Sequence, residues 1–272
     1  MTEASRIVRI LFVSDVVGKP GRRILKERLP SLLTDFQVDF CVVNAENAAG
    51  GLGLTAEVAE EFFGLGVHVL TSGNHIWNKR EIFDLIPHEP RILRPANYPS
   101  GAPGRGAEIF ETSSRVRVGV LNLMGRVFIP FSLDCPFRIA SEHLDRLRQE
   151  TAVILVDMHA EATSEKVAMG WFLDGQVSAV LGTHTHVQTA DERILPGGTA
   201  YLSDVGMTGP WISVIGVKRE PVVERFLTGL PKRFEPASGP AQLNAAFLTV
   251  DSASGKALTI ERVRIEEPAQ EV

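Results

Sequence analysis

The chain has 272 residues and a formal charge of −5, and its 28 Lys and Arg residues form no cluster. That length is enough for one large α/β domain, and the charge pattern argues against a surface for extended DNA or RNA. Two cysteines, Cys41 and Cys135, are too few for a disulfide framework, and no apolar segment is long enough to span a membrane. Because the N-terminal residues show no targeting pattern, we expect a cytoplasmic protein.

Short apolar runs rich in β-branched residues alternate with amphipathic segments. Strands are predicted at residues 7–13, 40–43, 67–71, 107–111, 116–122, 153–156, 177–181, 245–250 and 257–263. Helices are predicted at residues 22–33, 56–65, 79–85, 141–150 and 165–173. The alternation predicts a layered α/β protein, and two hairpin-like pairs predict a mixed sheet or two packed sheets. Residues 206–240 are predicted to leave this pattern as a lid or an oligomer contact, and no linker divides the chain into two domains.

Five predicted strands lead directly into carboxylate, amide or imidazole side chains. In chain order these are Asp15, then Glu46 and Asn47, then Asn74 and His75, then His159, and finally His184 and His186. Loops that follow the carboxyl ends of strands in an open α/β sheet meet at one edge, so we expect these side chains to converge. The remaining histidines, His68, His88 and His143, lie outside the pattern and are assigned no role.

This set of side chains suits a pair of first-row metal ions. Imidazole favours Fe, Zn, Mn or Co, carboxylate and amide oxygens suit harder ions, and no thiolate takes part. A bridging carboxylate is the simplest way to hold two ions the roughly 3.5–4 Å apart that two-metal hydrolysis needs. Taken singly, the motifs have structural alternatives, such as a helix cap for Asp15 or a tight turn for Gly73-Asn74-His75. Together they predict a two-metal hydrolytic site.

A competing motif lies at residues 51–56, which match the short dinucleotide-binding fingerprint and precede a predicted helix. That fingerprint needs its first glycine directly at the end of a strand, whereas residues 44–50 intervene here. The next strand ends in Thr71-Ser72-Gly73, which offers no acid to bind a ribose. We therefore interpret residues 48–53 as a flexible loop or a helix lead-in, and residues 18–21 as a turn before a helix.

The motifs resemble the calcineurin-like metallophosphoesterase superfamily, whose members carry an aspartate, a bridging carboxylate, Gly-Asn-His, a lone histidine and Gly-His-x-His after successive strands. Two departures stand out. Asp15-Val16-Val17 lacks the usual histidine two residues after the aspartate, and Asn44-Ala45-Glu46-Asn47 replaces the usual Gly-Asp. Both departures resemble the YmdB-like phosphodiesterases, a bacterial subgroup, as do residues 14–21, 44–53, 94–99, 134–137, 159–166 and 182–210.

The resemblance implies a four-layer α-β-β-α sandwich, in which two mixed β-sheets are flanked by helices and residues 1–272 form a single domain. It implies two metal ions, Fe or Mn with Zn as an alternative, and a homo-oligomer. The substrates implied are small phosphate esters or cyclic nucleotides, especially 2′,3′-cyclic nucleoside monophosphates. By the same resemblance, Asp15, Glu46, Asn47 and His186 hold one ion, and Glu46, Asn74, His159 and His184 hold the other. His75 is the implied proton donor.

The mechanism that follows is a hypothesis: hydroxide held by the metals attacks phosphorus, and His75 protonates the leaving ribose oxygen. Asp157 and Asp204 are candidates for orienting the histidines, with a structural cap or turn as the alternative. Arg126 is a candidate for meeting a phosphate oxygen, with an ordinary surface or ion-pair role as the alternative. Two other functions stay open. One is a general phosphomonoesterase or nuclease with the same metal site. The other is a non-catalytic regulator, which would need no proton donor.

Overall fold

Two mixed β-sheets stack face to face, and helices cover the outer face of each. The computed structural model describes residues 5–269, so residues 1–4 and 270–272 of the predicted domain lie outside the described part. The predicted α-β-β-α arrangement with two mixed sheets is confirmed. That residues 1–272 form a single domain stays a prediction.

The first sheet has a parallel half and an antiparallel half. Its strands are β1 (Ile7–Val13), β2 (Phe40–Asn44), β3 (Val69–Thr71), β10 (Gly209–Pro210), β11 (Ala241–Asp251) and β12 (Ala257–Glu266). Strands β1, β2 and β3 are parallel neighbours, and β11 pairs antiparallel with β1, with Leu11 opposite Phe247. Strands β10 and β12 both pair antiparallel with β11. The carboxyl ends of β1 to β3 therefore lie together at one edge.

The second sheet is mostly parallel. Its strands are β4 (Ala107–Glu111), β5 (Arg117–Met124), β6 (Val153–His159), β7 (Ala179–Thr183), β8 (Arg193–Ile194) and β9 (Ala200–Leu202). They lie in the order β4-β5-β6-β7-β9-β8, with β4 and β8 antiparallel at the two edges. In the register of β6 and β7, His159 lies opposite Thr183, which brings the ends of these strands side by side.

Four helices form the outer layers. Helices α1 (Gly18–Asp35) and α2 (Ala56–Gly64) pack on the first sheet, and α4 (Pro136–Glu150) and α5 (Thr163–Phe172) pack on the second. Helix α4 buries Ala140, Leu144 and Leu147, a spacing that places them on one helical face. A 3-10 turn (Ile76–Asn78), α3 (Ile82–Leu85) and α6 (Arg219–Thr228) complete the helical elements. Within residues 5–269, none of the helices is long and apolar enough to cross a membrane.

Strand β1 shows why the apolar runs become central strands. Ile10 and Phe12 pack between the two sheets, whereas Leu11 and Val13 pack on the side of α1 and α2. A strand that is buried on both faces requires an uninterrupted apolar run, which residues 10–13 supply after the partly buried Arg9. Full burial of a side chain such as Phe12 contributes roughly 1.5–3 kcal/mol to stability. The inter-sheet core therefore fixes the position from which Asp15 leaves the sheet.

The prediction of a turn at residues 18–21 is wrong, because α1 already begins at Gly18. Pro20 fits there since the first turn of a helix leaves backbone N–H groups unpaired in any case. Gly21 is required at that point, because a Cβ on it would overlap the carbonyl oxygen of Thr208. Of residues 79–85, predicted to form a helix, only Ile82–Leu85 do so, as the short α3, and the 3-10 turn lies before them at Ile76–Asn78. Residues 206–240, predicted to be a lid or an oligomer contact, contain β10 and α6.

The two cysteines differ in burial, which gives a test of the packing between β2 and the helices. Burial raises the pKa of the Cys41 thiol to about 12, whereas Cys135 is partly exposed at the start of α4. Because the thiolate is the reactive form, iodoacetamide at pH 8 should alkylate Cys135 alone in the folded protein. Mass spectrometry should show one adduct per chain, and two after unfolding in guanidinium. Rapid labelling of Cys41 in the folded protein would contradict this packing.

Candidate functional site

The predicted site residues converge where the edges of the two sheets meet. Asp15 follows β1, Glu46 and Asn47 follow β2, Asn74 and His75 follow β3, His159 ends β6, and His184 and His186 follow β7. Three of these strands belong to the first sheet and two to the second. The site therefore depends on the stacking of both sheets and not on one sheet alone.

His159 lies at the centre of the inner group. Its Nε2 is 3.2 Å from Glu46 Oε1, 3.1 Å from Asn74 Oδ1 and 3.0 Å from His184 Nδ1. Glu46, His159 and His184 offer ligand atoms that all lie within 4.8 Å of one another. Zinc-type bonds of about 2.0–2.2 Å place neighbouring ligand atoms about 3 Å apart, so one ion fits between these three side chains.

Asp15, Asn47 and His186 form an outer group beside Glu46. Asn47 Nδ2 lies 3.1 Å from Glu46 Oε1 and 3.3 Å from His186 Nε2. Asp15 Oδ1 lies 3.9 Å from both His186 Nε2 and His159 Nδ1. As oriented, Asn47 directs its amide nitrogen toward Glu46, and a ligand role needs a 180° rotation that presents Oδ1 instead.

Asp15 carries the clearest sign that the site takes a cation. Its side chain is fully buried, and its Oδ1 has no hydrogen-bond partner among the described residues. Its Oδ2 accepts a hydrogen bond of 3.1 Å from the backbone N–H of His184. A buried carboxylate oxygen without a partner costs several kcal/mol unless a positive group compensates it. A metal ion beside Asp15 would supply that compensation.

Electrostatics in the pocket also favour a central positive charge. Burial raises the pKa of the Asp15 carboxyl. Burial alone would lower the pKa of His159, but the carboxylates of Glu46 and Asp15 outweigh it and raise that pKa. Burial and the neighbouring His159 lower the pKa of His184 to about 3, so His184 is neutral near pH 7. A neutral imidazole is the form that binds a metal ion.

The two late histidines, His184 and His186, have a strained backbone, and a hydrogen-bond contact holds the ring of His186. His184 and His186 have φ values of 99° and 65°. Residues other than glycine rarely adopt this left-handed backbone conformation. His186 Nδ1 lies 2.8 Å from the carbonyl oxygen of Ile215, which fixes its ring. Such strain clusters at functional sites, where surrounding contacts hold it in place. The arrangement aims both imidazoles at the acidic pocket.

Comparison with known proteins places the chain in a family. A family model described as YmdB-like protein matches residues 11–263. The chain belongs to the YmdB-like family. It is 48% identical over 260 residues to the 2′,3′-cyclic-nucleotide 2′-phosphodiesterase of Bacillus subtilis (strain 168), a match that covers 96% of this chain and 98% of that protein.

Two solved structures are similar to the chain in both sequence and fold. A crystal structure titled as a hypothetical protein from Thermus thermophilus has a TM-score of 0.89 at 41% identity and covers 96% of this chain and 100% of its own. A structure titled as a novel phosphatase of Mycoplasma pneumoniae has a TM-score of 0.91 at 37% identity, covering 98% and 96%. These matches confirm the family seen in the sequence and the prediction of a phosphoesterase enzyme.

The predicted orienting residues act differently in the structure. Asp157 does not contact His159 directly: Thr183 Oγ1 donates to Asp157 Oδ1 at 2.7 Å and lies 2.9 Å from His159 Nδ1. The Thr183 hydroxyl has a single proton, so His159 Nδ1 donates to it and Nε2 is left facing the pocket. Burial raises the pKa of Asp157 to about 6, so this carboxyl is mostly ionised near pH 7. Thr183 is a residue that the sequence analysis missed.

Asp204 supports the segment that carries the two late histidines. Its Oδ2 accepts from Thr185 Oγ1 at 2.7 Å and from Lys166 Nζ at 2.6 Å, and both Lys166 and Asp204 are buried. Lys166 Nζ also donates to the carbonyl oxygen of Thr183 at 3.0 Å. The sequence analysis missed Lys166, although a lysine on the buried face of an amphipathic helix is an informative signal.

Arg126 was predicted to contact a phosphate oxygen, and that role stays a prediction. Its backbone N–H donates to both carboxylate oxygens of Glu165, at 3.0 and 3.1 Å, and the residue is exposed. The backbone N–H of Val127 donates to the same carboxylate at 3.2 Å. The buried carboxylate of Glu165 therefore anchors the loop after β5.

Proposed function

We propose that the chain is a dinuclear-metal phosphodiesterase that hydrolyses small cyclic nucleotides, with 2′,3′-cyclic nucleoside monophosphates as the preferred substrates. The observation that carries this proposal is the buried, unpartnered Oδ1 of Asp15 at the meeting point of the other metal-binding side chains. The named activity of the Bacillus subtilis relative supports the substrate class. The cytoplasmic location and the homo-oligomer stay predictions.

Two overlapping ligand sets fit the geometry. Asp15, Asn47 and His186 would hold one ion, and Asn74, His159 and His184 the other. Glu46 would bridge them, because its Oε1 lies 3.1 Å from Asn47 Nδ2 and 3.2 Å from His159 Nε2. The oxygen-rich set favours Fe or Mn, with Zn as the alternative. When bound, such ions activate water as a nucleophile and neutralise charge on the phosphoryl oxygens.

His75 is placed to handle the proton of the leaving group. Its backbone N–H donates to Glu46 Oε2 at 3.0 Å, which holds the residue beside the proposed bridge. Its Nδ1 lies 3.2 Å from Asn78 Oδ1, an acceptor, so Nδ1 donates there and Nε2 has a proton to give when the ring is in its imidazolium form. Water adds to phosphorus and releases one proton to solvent, and the bond from phosphorus to the ribose oxygen breaks. The His75 imidazolium gives its Nε2 proton to that oxygen and is left neutral.

A substrate panel tests the proposal. Protein loaded with Mn²⁺ should show its highest kcat/KM on 2′,3′-cyclic nucleotides, and lower values on 3′,5′-cyclic nucleotides and on phosphomonoesters. Preference for monoesters would favour a general phosphomonoesterase. Absence of turnover on every member of the panel, with two metal ions bound per chain, would contradict the enzyme and favour a nucleotide-binding regulator.

A further inference from the structure

The imidazole of His184 is held from two sides. Its Nδ1 lies 3.0 Å from His159 Nε2, on the side of the pocket that holds Glu46. Its other nitrogen, Nε2, lies 3.0 Å from Glu161 Oε2, on the side that faces solvent. Glu161 follows β6 by two residues and is 49% exposed, whereas the His184 side chain is 20% exposed. Glu161 thus lies at the rim of the site, beside the ring nitrogen of His184 that does not contact His159.

The two contacts determine which ring nitrogen can bind a metal ion. The oxygen of an ionised carboxylate 3.0 Å from Nε2 repels a lone pair there and attracts an N–H, so this contact favours the proton on Nε2. The form of an imidazole that binds a metal ion is neutral and carries only one N–H. The lone pair then lies on Nδ1, which faces Glu46 and His159.

Glu161 has no evident structural task. Within residues 5–269 its carboxylate makes no hydrogen bond, and its one ion-pair contact is with His184. By contrast, Glu165, one helical turn further along, is buried and holds two backbone N–H groups of the loop after β5. An exposed carboxylate with one partner adds little to folding stability. We therefore look for the role of its contact with His184 in the site itself.

We propose that Glu161 is a positioning residue that fixes the tautomer and ring orientation of His184 for a first-row divalent cation bound between His184, His159 and Glu46. This inference rests on the proposed function, because it requires His184 to be a metal ligand. Carboxylates that orient a metal-binding histidine typically change metal affinity by about 10–100-fold when they are removed. Glu161→Ala should therefore weaken binding of Mn²⁺ at the His184 position by that factor.

Isothermal titration of the metal-free protein with Mn²⁺ tests the inference. Glu161→Gln should stay within a few-fold of the unmodified protein, because its amide oxygen still accepts from Nε2–H. Glu142→Ala, which removes an exposed carboxylate on the outer helix α4, should bind like the unmodified protein. Equal weakening in Glu161→Gln and Glu161→Ala would overturn a role through the hydrogen bond.

A second readout separates this inference from the proposed function. Long-range ¹H–¹⁵N spectra of the metal-free protein should show the Nε2–H tautomer of His184, and a tautomer mixture in Glu161→Ala. His184→Ala identifies the resonance and also serves as the reference for metal loss. If His184→Ala weakens metal binding and Glu161→Ala does not, only the role of Glu161 fails. If His184→Ala binds metal normally, the proposed ligand set fails.

Discussion

Replacing Gly73 with alanine is expected to lower metal affinity and turnover by roughly 100-fold, the scale on which a displacement of about 1 Å affects an active site. A Cβ on Gly73 would lie 2.5 Å from Glu46 Oε2 and would overlap the imidazole of His159. Both side chains are almost completely buried and have little room to move. The added methyl group therefore acts on two proposed ligands, one of them the proposed bridge.

The same substitution at Gly64 is the matched control. Gly64 ends α2, and a Cβ there would meet no described heavy atom within 4 Å. Alanine favours a helix over glycine by about 1 kcal/mol, so Gly64→Ala should keep its activity and be as stable or slightly more stable. Titration with Mn²⁺, steady-state kinetics and circular dichroism on both variants make the comparison. Normal metal binding by a folded Gly73→Ala variant would contradict the close approach of Gly73 to His159.

The longer strands could be predicted because the residue pattern that forms each of them is local in the sequence. Residues 7–13 and 107–111 match β1 and β4, since long apolar or alternating runs satisfy a sheet irrespective of what packs nearby. Strands β8, β9 and β10 have two or three residues each and were missed. Elements this short are stabilised by pairing with the strands beside them, and the local sequence pattern does not indicate that pairing. Helix α6 was missed because its Pro and Gly surroundings resemble a loop.

For the site, the sequence predicted which side chains meet but not how they are supported. Strand-end positions were enough to bring Asp15 and Glu46 together, because topology alone sends the ends of parallel strands in one sheet to one edge. His159 ends a strand of the second sheet and joins them through the stacking of the two sheets. The link from Asp157 through Thr183 to His159 depends on the register of β6 against β7. Register is set by long-range pairing, so a single sequence does not reveal which hydroxyl lies beside which ring nitrogen.

His75→Ala is expected to lower kcat on cyclic nucleotides by about 10²–10⁴, the usual contribution of general acid catalysis. Metal content should stay unchanged, because the ring makes its contact with Asn78 and only the backbone N–H of His75 reaches Glu46. Removing the imidazole therefore leaves the hydrogen bond to the proposed bridge in place. Metal analysis and steady-state kinetics on the same preparation measure both quantities, with His88→Ala, an exposed histidine outside the site, as the control.

The dependence on leaving group decides between a proton donor and a ligand at this position. A ribose alkoxide needs a proton as it departs, whereas p-nitrophenolate is stable enough to leave without one. Loss of His75 should therefore slow the cyclic nucleotide far more than bis-p-nitrophenyl phosphate, with KM little changed for either. An equal loss on both substrates, accompanied by loss of bound metal, would make His75 a metal ligand and would require another residue to protonate the ribose oxygen.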